Sequence, residues 1–398
     1  MVEPGVETGR ASVELVAAYA FDHGPFTASE VMDATGLTRA TVLNACDLLA
    51  DRGWIRELDD ARAAGDYRRG RPARRYELAA DTAFVVGLDV GQHRVAALVA
   101  TLRGDVVGRA ELPIVGGDED PDLRLATARA AVEQATAQAG TTAGQVLVTA
   151  VGVPAPVDVH GRSPRGDHDY WARMNPDFAT RLGPWGEVVL ENDANLAASA
   201  ERALGAVARE SIAVLLAGVS FGAGLIVDGV LLHGGAGGAG ELRVLGMVEG
   251  VGSSEGLDGA ARSWLEEDRR TGRVPSASPL ALTPVDALDV SHIVDAATGG
   301  DAYTEALVER LGERLGRVCV VLGSLLDVEE VVVAGGVARV ASPVIAAAHR
   351  WLEQGVYAPT PLVRASELGA DVVALGAITR AVATIRSQPW RFAASITR

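Results

Sequence analysis

The first eighty residues alternate short apolar stretches with turn residues, as in a small helical domain. Residues 11–20 predict an amphipathic helix whose apolar face comprises Val13, Leu15, Val16 and Tyr19. Residues 26–28 begin a second helix, and the turn at residues 36–38 leads into a third, over residues 39–51. The inward face of this third helix is expected to hold Val42, Ala45, Leu48 and Leu49.

Helix, short glycine-containing turn and helix together predict a helix-turn-helix. Its second helix would enter the major groove of DNA with Thr38, Arg39, Thr41 and Asn44. Strands at residues 53–56 and 75–78 then predict the hairpin of a winged helix. The loop between them holds the dense basic cluster of the chain, where the candidate DNA contacts are Arg69, Arg71 and Arg74. A solvated basic linker is the alternative interpretation of this loop.

From residue 81 onward, apolar strands alternate with glycine-rich turns and alanine-rich helices, which predicts an α/β body. Strands are predicted at residues 84–91, 95–102, 106–113, 145–153, 211–216 and 331–337. Helices are predicted at residues 125–139 and 196–205.

One polar cluster stands out where the apolar run 188–190 meets an alanine-rich helix. Its members are Glu191, Asn192, Asp193 and Asn195. Ligands of open α/β sheets bind at the carboxyl ends of strands, and a carboxylate there can accept a hydrogen bond or a proton from a hydroxyl group. A helix cap is the alternative, but a cap explains one of these residues. Four together favour ligand contact.

Composition narrows the class of protein. A chain of 398 residues with 48% hydrophobic residues is expected to form two or three structural units. The net charge of −16 argues against a protein that coats nucleic acid, although a small basic head stays compatible with it. Cys46 and Cys319 are expected to be buried free thiols in a reducing cytoplasm. Neither a signal peptide nor a membrane-spanning segment is indicated.

Taken together, these motifs resemble the ROK family (repressors, open reading frames and sugar kinases) from residue 1 to about residue 385. The matching segments are residues 70–72, 87–91, 152–158, 191–195 and 238–241. The resemblance implies a winged helix-turn-helix over residues 1–80. It also implies a two-lobed α/β body of the sugar kinase/actin-like (ribonuclease H-like) fold. We expect the lobes at residues 81–200 and 201–373, with helix 374–390 returning to the first lobe.

The resemblance also implies roles for particular residues. Asp193 matches the general base of family kinases, Asn192 and Glu241 match contacts to sugar hydroxyl groups, and Asn175 lies where the family closes over the sugar. Two phosphate loops correspond to Asp89, Gly91, Gln92 and His93, and to Gly218, Ser220 and Gly222. Gly335 and Gly336 fall where the superfamily contacts adenosine. Ordinary strand-to-helix turns are the alternative explanation of these glycines.

Departures from the family pattern bear on catalysis. Gln92 and His93 replace a Gly-Thr pair at a turn that needs close backbone approach to phosphate. Val244 replaces a zinc-binding histidine, and residues 252–258 contain no cysteine, so we expect no zinc and no other cofactor. His233 is nearby, but a lone histidine is more often a surface or core residue than a ligand.

The sequence therefore predicts a DNA-binding transcriptional regulator, and it favours a repressor over an activator. Its body is expected to bind a sugar or sugar derivative without kinase activity. The expected partners are an operator in double-stranded DNA, the effector, and further copies of the chain in a homodimer or homotetramer. Two alternatives stay open: an ATP-dependent sugar kinase with an attached DNA-binding domain, and a regulator controlled by a partner protein. A sugar site retained without use is a further, less favoured interpretation.

Overall fold

The computed structural model describes residues 4–58, 73–115, 120–165, 170–206, 209–355 and 360–392, with side chains from residue 11 onward. Residues 4–58 and 73–80 form an N-terminal unit that we call the head. Its elements are α1 (Pro4–Asp22), β1 (Phe26–Thr27), α2 (Ala28–Thr35), α3 (Arg39–Asp51), β2 (Ile55–Leu58) and β3 (Arg75–Leu78). Strand β3 lies between β1 and β2 in an antiparallel sheet. This is the order of elements of a winged helix.

Local signals fix the helices of the head. Thr27 and Glu30 form a reciprocal capping box at the start of α2, and Gly36 ends that helix with φ of 71°. Thr38 caps α3 by accepting a hydrogen bond from the backbone of Thr41.

The prediction that Leu15 and Leu48 face inward is wrong. Their side chains are 46% and 39% exposed. Helices α1 and α3 bury only the narrow stripe along which they pack on each other, on the sheet and, in the case of α1, on helices of the body. In α1 that stripe comprises Val13, Val16, Ala17 and Ala20.

The body contains two five-stranded sheets with the same strand order, and the predicted α/β architecture is confirmed. In the first sheet the order is β6-β5-β4-β7-β8. Its strands are β4 (Phe84–Val90), β5 (Arg94–Thr101), β6 (Val106–Pro113), β7 (Val146–Val153) and β8 (Glu187–Asn192). The helices of this part are α4 (Pro121–Gln138), α5 (Tyr170–Met174), α6 (Phe178–Arg181) and α7 (Asp193–Leu204). Helix α4 begins earlier than predicted because Asp120 caps it and Pro121 occupies its first turn.

The second sheet repeats this pattern, with the order β11-β10-β9-β12-β13. Its strands are β9 (Ile212–Leu216), β10 (Gly222–Val227), β11 (Val230–Leu231), β12 (Glu330–Ala334) and β13 (Leu362–Ala365). The remaining helices are α8 (Leu257–Arg270), α9 (Val290–Thr298), α10 (Ala302–Leu326), α11 (Ser342–Gln354), α12 (Val372–Ser387) and α13 (Pro389–Phe392). Each sheet thus combines an antiparallel meander with parallel strands on its far side.

Helices α7 and α12 lie between the two sheets and pack directly on each other. A Cβ on Gly376 of α12 would lie 1.9 Å from the carbonyl oxygen of Leu196 in α7. A Cβ on Gly87 would lie 2.3 Å from Ala374 O, and one on Gly224 would lie 2.1 Å from Ala194 O. Glycine therefore lets α12 approach the first sheet, α7 approach the second, and the two helices approach each other.

The head shares its apolar core with these central helices. One continuous cluster of buried side chains runs from α1 and α3 through β5 and α12 to α7 and the inner face of the second sheet. Arg103 donates hydrogen bonds to the carbonyl oxygens of Ala20, Phe21 and His23 at the end of α1. Arg386 of α12 pairs with Asp22. Head and body are consequently joined through packed side chains as well as through the chain itself.

Within the described residues, every helix is too short or too polar to cross a lipid bilayer.

Substitution of Gly376 should weaken the whole body. The Gly376→Ala variant is expected to lose about 2 kcal/mol of unfolding free energy, since overpacking at Leu196 outweighs the better helix propensity of alanine. Thermal unfolding measures the loss. Gly144→Ala is the matched control, because a Cβ there meets no atom within 4 Å. Equal melting temperatures for the two variants would contradict the close contact.

Candidate functional site: a polar cleft between the sheets

A cavity of about 440 Å³ opens between the two sheets. Segments that follow the parallel strands β4, β7, β8, β9 and β12 all contribute to its wall, as expected for ligand sites in α/β proteins. The predicted site residues that the cavity brings together are Asp89, Gly91, Gln92, His93, Asn192, Asp193, Gly218, Ser220, Gly222 and Glu241. Gly335 and Gly336 line it as well. Residues predicted from separate motifs thus share one cleft.

Asp193 is the first residue of α7, and its Oδ1 accepts a hydrogen bond of 2.8 Å from the backbone of Ala194. Burial, together with the nearby negative charges of Asp89 and Glu241, raises the pKa of Asp193 to about 8. The carboxyl group is therefore largely protonated at neutral pH. In that state it can both donate and accept hydrogen bonds with a hydroxylated ligand.

Asp89 ends the first strand of the body opposite Asp193. Burial raises the pKa of Asp89 to about 6, while the guanidinium of Arg94 opposes the rise. Arg94 Nη2 lies 3.4 Å from Asp89 Oδ2 and donates a 2.8 Å hydrogen bond to Ala370 O. Sequence reasoning missed Arg94, although its place directly after His93 could have suggested it.

The polar cluster at residues 191–195 divides into structural and exposed parts. Asn192 caps α7, with Oδ1 accepting from Asn195 N at 3.1 Å and Nδ2 donating to Ala155 O at 3.2 Å. Glu191 Oε1 accepts from Asn192 N and from Asn195 Nδ2, both at 3.0 Å. The ring of His233 lies with Nε2 2.9 Å from Glu191 Oε2. The helix-cap interpretation therefore explains Asn192, and Asp193 lines the cavity.

Two residues that the sequence did not single out as ligand contacts close one side of the cleft. The guanidinium carbon of Arg243 lies 4.5 Å from the ring centroid of Trp171, a cation–π geometry. Both side chains line the cavity. Trp171 belongs to α5 beside the first sheet, and Arg243 follows Glu241 beside the second. Their contact bridges the two lobes.

Asn175 does not join the cleft. Its amide donates hydrogen bonds of 3.1 Å to Gly161 O and to Ser163 Oγ, and it lines a separate cavity of about 510 Å³. The loose local match of the sequence gave no signal for this displacement, because the position of Asn175 depends on tertiary packing.

No group of three or more His, Cys, Asp or Glu side chains is placed to hold a metal ion within the described part of the chain. Cys46 and Cys319 are buried, as predicted, and burial raises the pKa of each thiol to about 12.

Five of the predicted DNA-contacting residues are described, and they lie on the outer side of the head. Thr38, Arg39 and Asn44 are exposed, and Thr41 is half-buried with its hydroxyl 2.9 Å from that of Thr38. Arg74 is paired with Asp47 of α3 at 3.2 Å and with Glu57 of β2 at 3.3 Å. Arg69 and Arg71 lie outside the described residues.

The two similar sheets, the central helices and the cleft define the sugar kinase/actin-like class of fold, and the predicted fold class is confirmed. The ROK family profile matches residues 85–383. The chain therefore belongs to the ROK family, as its motifs suggested.

Both regulators and kinases are found among the relatives. A xylose repressor of Caldicellulosiruptor bescii is 22% identical and covers 80% of this chain and 81% of the repressor. A glucokinase of Halalkalibacterium halodurans is 24% identical and covers 64% of this chain and 80% of the kinase.

The solved structures similar to this chain also include both a regulator and a kinase. A ROK family transcriptional regulator, described as a homologue of the Escherichia coli MLC protein, superposes with a TM-score of 0.71 at 20% identity, covering 94% of this chain and 96% of its own. A ROK glucokinase of Streptomyces griseus, solved with glucose and AMPPNP, has a TM-score of 0.61 at 25% identity and covers 75% of this chain and 99% of its own.

Asp193 should make stability depend on pH. The unfolded state ionises this carboxyl above its ordinary pKa of 3.8, whereas the folded state holds the proton up to about pH 8. Stability is therefore lost as the pH rises through this window and is constant above it. Asp193→Asn removes the titration and should raise the unfolding free energy by about 1–3 kcal/mol at pH 8.5, with little gain at pH 4.

Thermal unfolding at both pH values measures this effect. Asp158→Asn is the control, because backbone hydrogen bonds from residues 160 and 162 lower the pKa of Asp158 and its removal brings no gain at high pH. A pH-independent difference between wild type and Asp193→Asn would show that Asp193 ionises normally in the fold.

Proposed function

We propose that this chain is a sequence-specific DNA-binding transcriptional regulator, with repression as the favoured sign, whose cleft binds a sugar or sugar-derived effector. The observation that supports this proposal most strongly is the combination of two parts in one chain. A head with an exposed helix α3 is joined through one continuous apolar core to a body with a polar cleft. Thr38 and the α3 residues Arg39, Thr41 and Asn44 would read the major groove, and Arg69, Arg71 and Arg74 would contact the backbone or minor groove.

The share of this chain that each similar structure covers supports the proposal of a regulator. The structural regulator matches 94% of this chain, so its match includes the head. The kinase structure covers 99% of its own length but 75% of this chain. The ROK family match begins at residue 85, so the head lies outside the part that this chain shares with the family profile.

Cleft chemistry supports a polyhydroxylated effector. Asp193 and Glu241 offer carboxyl groups, and burial raises the pKa of both. Trp171 adds a flat apolar surface at the same cavity. A few polar groups within a partly apolar cavity can orient a ligand that carries hydroxyl groups on a carbon ring.

Helix α12 supplies a direct route from cleft to head. Val373 in its first turn lines the cavity, and Arg386 in its last turn pairs with Asp22 of the head. Sixteen helical residues span about 24 Å. Closure of the lobes around an effector would shift α12 against α7 and so reorient the head. In a homodimer or homotetramer such a shift changes the spacing of the two heads and the fit to a two-part operator.

A second candidate, an ATP-dependent sugar kinase, is favoured by one observation. The ionised fraction of a carboxyl group whose pKa is about 8 can accept a proton from a sugar hydroxyl group close to neutral pH. Gln92 and His93 oppose this candidate, because their side chains line the cavity at the turn where the family brings backbone close to phosphate.

Two substitutions in the head should change DNA affinity in opposite directions. Arg74→Ala is expected to weaken binding to the DNA upstream of the gene and to lower the salt slope by about one. Asp47→Asn should strengthen binding, since it frees Arg74 from one ion pair and removes a negative charge from α3. Fluorescence anisotropy at several salt concentrations measures both effects.

Arg270→Ala is the matched control, because Arg270 is an exposed arginine on α8, far along the chain from the head. Equal affinity of the wild type for upstream and random DNA would remove the basis for a sequence-specific regulator.

Sugars should stabilise the protein and change its DNA affinity. D-xylose and D-glucose, tested separately at millimolar concentration, are expected to raise the melting temperature of the wild type but not of Asp193→Ala. Anisotropy with upstream DNA then shows whether the stabilising sugar releases the operator. Sugar-dependent ADP release from ATP, abolished in Asp193→Asn, would instead establish the kinase. DNA binding without stabilisation by any sugar of a wider panel would favour control by a partner protein.

A further inference from the structure

We propose that two buried arginines, Arg124 and Arg314, are positioning residues that hold the loops on opposite walls of the cleft in a ligand-ready shape. The significance for effector binding rests on the proposed function, but the positioning itself does not. Neither residue lines the cleft. Each arginine lies behind the cleft wall. It donates hydrogen bonds to backbone carbonyl groups of a cleft loop or of a segment that is bonded to a cleft loop.

Arg124 holds the turn between β4 and β5. It projects from α4 and is completely buried. Its Nη1 donates to Val90 O at 3.2 Å and to Gly91 O at 2.7 Å, and its Nη2 donates to Gln92 O at 3.3 Å. Because the C=O and N–H of one peptide unit point in opposite directions, this grip directs the N–H groups of residues 91–93 away from the guanidinium. Residues 91–93 all line the cavity.

Arg314 performs the equivalent task beside the second sheet. It projects from α10 and is 3% exposed. Its Nη1 donates to Val251 O, and its Nη2 donates to Ser253 O at 2.9 Å, Ser253 Oγ at 3.0 Å and Glu255 O at 2.7 Å. One guanidinium thus donates hydrogen bonds to three carbonyl groups of the segment 251–255, which we call the brace.

The brace is bonded in turn to the second cleft loop, residues 217–222. Phe221 N donates to Ser254 O at 2.9 Å, and Gly256 N donates to Val219 O at 2.9 Å. The backbones of Ser220 and Glu255 form an antiparallel bridge. Residues 217–222 line the cavity opposite the turn held by Arg124. A displacement of the brace would therefore move the cleft wall.

Arginine is specifically suited to both positions. A guanidinium presents five N–H donors in a planar fork, whereas a lysine ammonium is a single centre with three donors. Replacement by lysine keeps the charge but cannot reach carbonyl groups that diverge from one another, and a buried carbonyl without a donor is costly. Glycine-rich loops have high conformational freedom, so an external clamp is what keeps them ordered before a ligand arrives.

Hydrogen–deuterium exchange of the full-length chain, without DNA or sugar, tests the positioning directly. In Arg124→Lys we expect exchange at Ile114, whose N–H donates to His93 O, to rise by about tenfold or more. In Arg314→Lys we expect the same rise at Phe221 and Gly256, whose N–H groups donate to Ser254 O and Val219 O. Protection of the sheets and of the head should stay unchanged.

Matched controls lie on the same helices. Arg129 of α4 donates to carbonyl groups of residues 181 and 182, and Arg310 of α10 stacks on Trp264. Arg129→Lys and Arg310→Lys should leave exchange of the cleft loops as in the wild type. Unchanged cleft loops in Arg124→Lys and Arg314→Lys would overturn the proposal. Increased exchange throughout a lobe would also overturn it, and so would insolubility of both Arg124→Lys and Arg314→Lys, because these outcomes assign the arginines to general stability.

A measurement of sugar binding distinguishes a failure of this proposal from a failure of the proposed function. For whichever of D-xylose and D-glucose stabilises the wild type, the two lysine variants should bind about tenfold more weakly while their affinity for upstream DNA stays within about twofold. Wild-type sugar affinity in both variants would overturn the ligand-ready role of the clamps. If the wild type binds neither sugar, the proposed effector class fails, and the exchange data still decide whether the arginines position the loops.

Discussion

The contact between α7 and α12 is the constraint on which the rest of the molecule depends. Because position 376 is glycine, α12 can pack against the carbonyl of Leu196 at a distance that any side chain would prevent. Gly87 brings α12 equally close to the first sheet, and Gly224 brings the second sheet close to α7. The two sheets are therefore coupled through a pair of helices in direct backbone contact. A change in the angle between the lobes must pass through this contact, because protein interiors are close-packed and transmit strain.

The cleft follows from that arrangement. Two sheets of the same strand order, placed on either side of the helix pair, bring the carboxyl ends of their parallel strands to a common opening. Asp89 and Asp193 come from the first sheet and Glu241 from the segment beside the second. Burial in the cavity raises the pKa of each carboxyl group, and the negative charges of Asp89 and Glu241 contribute to the rise at Asp193. The chemical character of the site thus results from an arrangement of lobes, and no single motif carries it.

Regulation and phosphoryl transfer make different demands on such a cleft. A kinase needs backbone N–H groups close to phosphate and a base in register with a hydroxyl group. A regulator needs a ligand to shift the lobes and a path that carries the shift outward. This chain retains the carboxyl groups of the first requirement and has Gln92 and His93 at the phosphate turn. It also has α12 between cleft and head. The balance of these features favours the regulator.

The sequence by itself determined the elements and the motifs. The helices of the head, the strands that carry the polar cluster and the membership of the ROK family follow from periodicity, caps and ordered motifs, which are local properties. Only the tertiary structure decided which polar residues meet. It showed that Asn192 is a helix cap, that His233 contacts Glu191, that Arg94 faces Asp89 and that Asn175 lies outside the cleft. It also exposed Leu15 and Leu48. Contacts between residues far apart along the chain depend on how helices and sheets pack, and hydrophobic periodicity specifies a face of a helix without specifying its neighbour.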